Sequence, residues 1–221
     1  MSSSINLKKS LNSIRTPIKV HSFPKKFLYS SLALLFGIAT GVLAKFLDLA
    51  NLPSFLEALD LSNFFGLASI WCLFGLIVSV YSKSPLRASL NTFRFFSGML
   101  TGYYVYTRIF AGFYPDFDYL MIWLAFTVLS PFIAVFCWYA KGSGLTSVVL
   151  SALIIGFLST YAFTFSIVNF YFNTPDILGV LVWIAGIVVL YRNPKQTLYS
   201  VILSVLIVCV YNVLPISISY I

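Results

Sequence analysis

One histidine, His21, three cysteines and six acidic residues are all that this 221-residue chain offers in those classes. Each shortage removes a kind of chemistry. A single histidine gives a catalytic triad or a histidine-based metal centre almost nothing to build on within one chain. Cys72, Cys137 and Cys209 fall in three different apolar runs, without CxxC or Cys/His spacing, and read as small buried hydrophobes. HExxH, GxSxG and P-loop motifs are absent, so no enzyme activity, metal or cofactor is expected. Charged residues are only 9% of the chain, against about a quarter in a soluble domain.

What fills the chain instead is apolar. Hydrophobic residues make up 60% and aromatics 18%, and the mean hydropathy is +0.95. A soluble chain of this length has too little interior to hide that surface, so its natural solvent is lipid. The net charge of +8 does not point to nucleic acid, because the basic residues form no domain of their own and flank apolar segments.

Seven runs approach the roughly 20 apolar residues that span a bilayer as a helix: 27–46, 63–81, 88–110, 119–140, 146–167, 177–191 and 197–214. The sixth is short, and Pro175 offers an earlier helix start. Lipid leaves no water to pair backbone groups, so the expected fold is all-α, a polytopic transmembrane bundle. Residues 1–26 form a basic tail in which Pro17 and Pro24 interrupt long helices; it is expected to be disordered or to lie on anionic lipid. Residues 27–221 form the membrane domain, its first span retained rather than cleaved. The tail holds six Lys and Arg, and every second connection after it holds two (Lys83, Arg87), one (Lys141) and two (Arg192, Lys195), which places 11 of 14 on one side. That bias predicts a cytoplasmic N-terminus and an outer C-terminus in a bacterial cytoplasmic membrane. Among the outer connections, 49–63 is expected to hold a short interfacial amphipathic helix. Residues 111–119 and 169–176 read as aromatic-rich turns.

Inside the spans, Ala33, Gly37 and Gly41 recur every fourth residue, as do Gly98 and Gly102. Small-residue stripes let helix backbones approach closely, so the two are expected to face each other or a shared neighbour. Pro131 is expected to kink the fourth span. Arg94 either snorkels to the cytoplasmic headgroups or, spaced by four from Gly98 and Gly102, faces the bundle interior. Lys45 with Asp48, and Arg108 with Asp116 and Asp118, have two readings. They neutralise one another at the outer interface, or they line a pocket for a small charged or zwitterionic ligand, with Tyr103, Tyr104 and Tyr106 as walls.

The blocks "GIATGVLAKFLD", "YSKSPLRASLNTFRFFSGMLTGYYVYTRIFAGFYP" and "LSPFIAVFCWYAKGSG" resemble a family of small bacterial multi-spanning membrane proteins of unknown function, over residues 33–165. The resemblance implies bacterial origin and membrane location, and carries no substrate, cofactor or active residue. The function expected is solute transport, alone or as a subunit with a membrane or ATPase partner. The alternative is an interaction, immunity or assembly protein without a ligand.

Overall fold

The computed structural model describes residues 10–18, 22–50, 53–54, 59–113, 116–163, 165–166, 171–172 and 177–213. These are helical apart from loops and one antiparallel pair of two-residue strands, Phe165–Ser166 (β1) and Tyr171–Phe172 (β2). Four helices are long and apolar enough to cross a membrane: Pro24–Leu49, Phe117–Ala140, Leu145–Ala162 and Pro194–Tyr211. Leu35, Phe132, Leu153 and Leu206 stand exposed on them, as side chains facing lipid do. The chain divides into two compact units, Thr16–Trp138, and Met1–Arg15 with Tyr139–Ile221.

The first unit contains α1 (Phe23–Leu49), α2 (Leu61–Gly66), α3 (Ala68–Tyr81), α4 (Pro85–Tyr106), a π-helical turn (Thr107–Ala111) and most of α5 (Phe117–Ala140). Pro24, expected to interrupt a helix, instead starts one. Proline suits the first helical turn, where its missing N–H would have no partner anyway, and α1 begins four residues inside the expected tail. The expected second span is two helices, because extended backbone at Leu67 (φ −76°, ψ 142°) parts α2 from α3. The third expected run begins at Pro85, capped by Ser84, and ends in the π turn, whose C-cap Gly112 has φ 76°. α4 is long but does not rank with the four apolar helices. It carries Asn91 and Thr92 on the face it buries with Ala88, Phe95, Gly98 and Gly102, and a face covered by other helices need not be lipid-compatible. The residues between Ala50 and Leu59 are described only at 53–54, so the expected amphipathic helix lies largely outside the described residues.

α1 and α4 form the closest pair. A Cβ on Gly37 or Gly41 would fall closer than 3.0 Å to the backbone of Phe95 or Met99; one on Gly98 or Gly102 would do the same to Leu34 or Ile38. Each stripe therefore lies against the other helix's main chain, with dispersion contact in place of side chains. Aromatic rings fill the flank: Phe36 stacks on Phe95 at 5.4 Å between centroids, Phe74 meets both edge-on, and Trp71 links Phe74 to Trp123 of α5. Such pairs add about 0.5–1.5 kcal/mol each beyond area burial.

Polar side chains inside this unit are paired in short chains. Ser30 Oγ donates to Asn91 Oδ1 (2.8 Å), Asn91 Nδ2 to Ser82 Oγ (3.0 Å), and Ser82 Oγ to the Val78 carbonyl (2.8 Å), which ties α1, α3 and α4 at one end. Trp138 Nε1 donates to the Ser82 carbonyl at 2.8 Å. α5 runs through Pro131 as one helix. Proline lacks the N–H that would meet the carbonyl four residues back, Thr127. Ser130 Oγ donates to that carbonyl at 2.8 Å, and Ser89 of α4 donates to the proline's own carbonyl at 2.7 Å.

The second unit holds α6 (Leu145–Ala162), the β1–β2 pair, α7 (Ile177–Leu190) and α8 (Pro194–Val213). α6 stops at Ala162, short of the expected 167. α7 has 14 residues, and residues 173–176, with Pro175, lie outside the described residues, as does the C-terminus from 214. Gly156 faces Val208 and Gly186 faces Leu158. Lys141 Nζ donates to the Val189 carbonyl at 2.6 Å, a cation at a helix C-terminus where the macrodipole favours it.

The described part of the tail is not free chain. The Ile14 carbonyl accepts from Ser143 N at 2.9 Å in the second unit. Ile18 N donates to the Lys83 carbonyl at 2.8 Å in the first.

Candidate functional site

Lys45 lies one turn before the end of α1 and is 5% exposed. An ammonium out of water needs a partner or it costs several kcal/mol. Asp48, one turn along the same face, supplies an ion pair, and its other carboxylate oxygen accepts from Ser62 Oγ of α2 at 2.8 Å. The Asp48 side chain is 42% exposed, so the pair has a dry end and a wet end. Above the ammonium, the ring centroids of Tyr103 and Phe113 each lie 5.4 Å from Nζ, within the range where a π face attracts a cation. Tyr119 follows at 6.3 Å from Tyr103, and Trp123 at 6.2 Å from Tyr119. The result is an ion pair lodged at the end of a line of aromatic rings.

Tyr104 neighbours Tyr103 edge-on at 5.6 Å. Its buried hydroxyl has no hydrogen-bond partner among the described residues. Tyr106 is turned to Phe110, stacked at 4.3 Å.

The remaining sequence candidates sit differently. Arg108 is exposed and donates to the Gly112 carbonyl at 3.1 Å, across the π turn. Asp116 and Asp118 are exposed, and Asp118 occupies the first turn of α5, where a carboxylate suits the helix dipole. Arg94 is exposed, which agrees with the first of its two readings and not with the interior one. At 100° per residue each step of four drifts about 40° around the helix, so Arg94, two steps from Gly102, stands about 80° round from it. The buried seam of α4 is Asn91, Phe95, Gly98 and Gly102, spaced by four and three, with Arg94 on its flank.

Two members of the Lys45 surroundings were not anticipated. Ser62 gave no signal, being fourteen residues from Asp48 across a loop. Phe113 stands in a turn noted for its aromatics, but nothing in the sequence aims its ring at Lys45. No group of three or more His, Cys, Asp and Glu able to hold a metal occurs among the described residues.

Four helices long and apolar enough to cross a membrane, close small-residue packing and internally paired polar groups are the features of a helical membrane protein. The chain belongs to the family of unknown function DUF6518, whose model matches residues 22–218. That match takes in α7 and α8, beyond the 33–165 of the sequence resemblance. No curated protein and no solved structure matches it.

Proposed function

We propose that this is a non-enzymatic, multi-pass protein of the bacterial cytoplasmic membrane. Seven apolar segments cross the bilayer, the N-terminus is cytoplasmic, and a small zwitterionic solute binds at the Lys45–Asp48 end for transport. The observation that carries the reading is a buried lysine whose counter-ion is half-exposed and whose other neighbours are aromatic faces. A zwitterion fits that arrangement: its anionic group takes the place of Asp48 beside Lys45, while its cationic group meets Asp48 and the ring of Tyr103 or Phe113. The buried Tyr104 hydroxyl supports the same reading, since a polar group left unpaired inside costs about 1–3 kcal/mol.

The glycine stripes of α1 and α4 are engaged within the chain. Recruitment of an ATPase through those stripes is therefore disfavoured, and transport by this chain is the simpler form of the proposal.

The test is thermal unfolding of the detergent-purified protein against a panel of amino acids, betaines and amines, followed by uptake into proteoliposomes. A zwitterion that raises the midpoint in the wild type but not in Lys45→Met or Asp48→Asn supports the reading. A panel without any stabilising solute counts against it and favours an interaction or assembly protein.

A further inference from the structure

A cleft of about 250 Å³ opens among α1, α3 and the start of α4, at the other end of α1 from Lys45. Its polar end carries Lys26, Lys83 and Arg87, and its wall is apolar, with Leu32, Phe36 and Val78. Leu32 and Phe36 are 51% and 41% exposed, so the groove is open along its side.

The cations are arranged against the local rules. Lys26 lies in the first turns of α1 and Arg87 in the first turn of α4, and neither helix has an acid in its first turn. A helix N-terminus carries partial positive charge and favours anions. The only ion pair among the described residues is Lys45–Asp48, so no carboxylate there answers these three cations. Arg87 Nη1 reaches the Lys26 carbonyl and Ser30 Oγ at 3.5 and 3.4 Å. Both are long, and most of the five-donor fork remains open. The Ser30–Asn91–Ser82 chain lies beneath and holds the three helices in place. Positive charge gathered on two helix starts, over a rigid polar floor and beside an apolar side groove, is complementary to one kind of molecule.

We propose that this cleft binds an anionic phospholipid. Arg87, Lys26 and Lys83 hold its phosphate, and an acyl chain lies along Leu32, Phe36 and Val78. The arginine fork matches two phosphate oxygens at once, while the two ammonium groups add charge without fixed direction. The site is independent of the Lys45–Asp48 reading and can stand if that one fails.

Native mass spectrometry of the full-length protein, titrated with dioctanoyl phosphatidylglycerol, dioctanoyl phosphatidylcholine and inorganic phosphate, tests it. The wild type should hold one phosphatidylglycerol in preference to phosphatidylcholine. Lys83→Glu, at an exposed position, should weaken that binding by at least about fivefold. Arg87→Lys, which keeps the charge and loses the fork, should also weaken it. Lys195→Glu should leave it unchanged. Equal binding of the two lipids, indifference to Lys83→Glu, or displacement of the lipid by equimolar inorganic phosphate would overturn the proposal.

Discussion

At the Lys45 end of the α1–α4 pair the ammonium is buried, matched by Asp48 and faced by two rings. At the Lys26 end three cations border an open cleft with no carboxylate to answer them among the described residues. Lys26 and Lys45 are nineteen residues apart on one helix, about 28 Å at 1.5 Å per residue. That is close to the roughly 30 Å of a hydrocarbon core. The two ends of α1 are thus about as far apart as the two faces of a hydrocarbon core. The contrast teaches that charge count says little by itself. A cation with an internal partner can be enclosed within the packing, whereas cations without a carboxylate among the described residues are where an outside anion is to be sought.

The comparison depends on α1 and α4 staying in contact, and breaking that contact should have the largest effect. Gly98→Leu would drive a side chain into the Leu34 carbonyl, with backbone rather than a flexible side chain in the way. The cost should be about 3 kcal/mol or more, read as loss of a monodisperse peak and a much lower unfolding midpoint in detergent. An unchanged midpoint would mean that the stripes are not the seam.

Next in size is the Lys45 end alone. Asp48→Asn leaves a buried ammonium without its counter-charge. The Asp48 side is partly wet, so the loss should be about 2 kcal/mol, between a surface pair and a fully enclosed one. Adding Lys45→Met should recover most of it, because two apolar or neutral groups need no pairing. A double variant no better than the single one would show that the charge of Lys45 is not what Asp48 satisfies. At the opposite end, Asn91→Ala removes the link between Ser30 and Ser82 and should cost about 1 kcal/mol, the usual scale of a hydrogen bond between membrane helices. Together these variants ask whether stability is distributed along the pair or concentrated at its enclosed end.

How much of this was legible depended on whether a signal was local. Lys45 and Asp48 are three residues apart, so their meeting follows from helix geometry. Ala33, Gly37 and Gly41, with Gly98 and Gly102, announced close helix approach because small residues have few other uses in lipid. The break between α2 and α3 was not readable: Gly66 stands just before it, but one glycine does not end a helix. Of the two readings of Arg94, the interior one fails because a run of fours drifts off the face that alternating fours and threes follow. The basic cleft is not legible for another reason. Lys83 and Arg87 mark orientation, which exhausts their meaning only if nothing else gathers beside them. Asn91, a polar residue inside an apolar run, was the available clue that α4 has a structured polar floor there.

Arg94 supplies the control for both ends. Being exposed on the flank of α4, it should tolerate Arg94→Gln with a change within about 0.5 kcal/mol. It should leave phosphatidylglycerol binding and solute stabilisation unaltered. A larger loss would return it to the helix interface and revise the seam of α4.

Another small expected shift is the most informative about the Lys45 end. The Tyr104 hydroxyl is buried without a partner among the described residues, so Tyr104→Phe removes a polar group that folding does not reward. Stability should stay level or rise by less than about 1 kcal/mol. If a solute occupies the space beside Lys45, the same variant should lose part of the solute-induced rise in midpoint, separating recognition from packing in a single substitution. A fall in stability without solute would show that the hydroxyl is engaged inside the protein, and the enclosed end would then be structural, with its aromatic rings serving only to shield the ion pair.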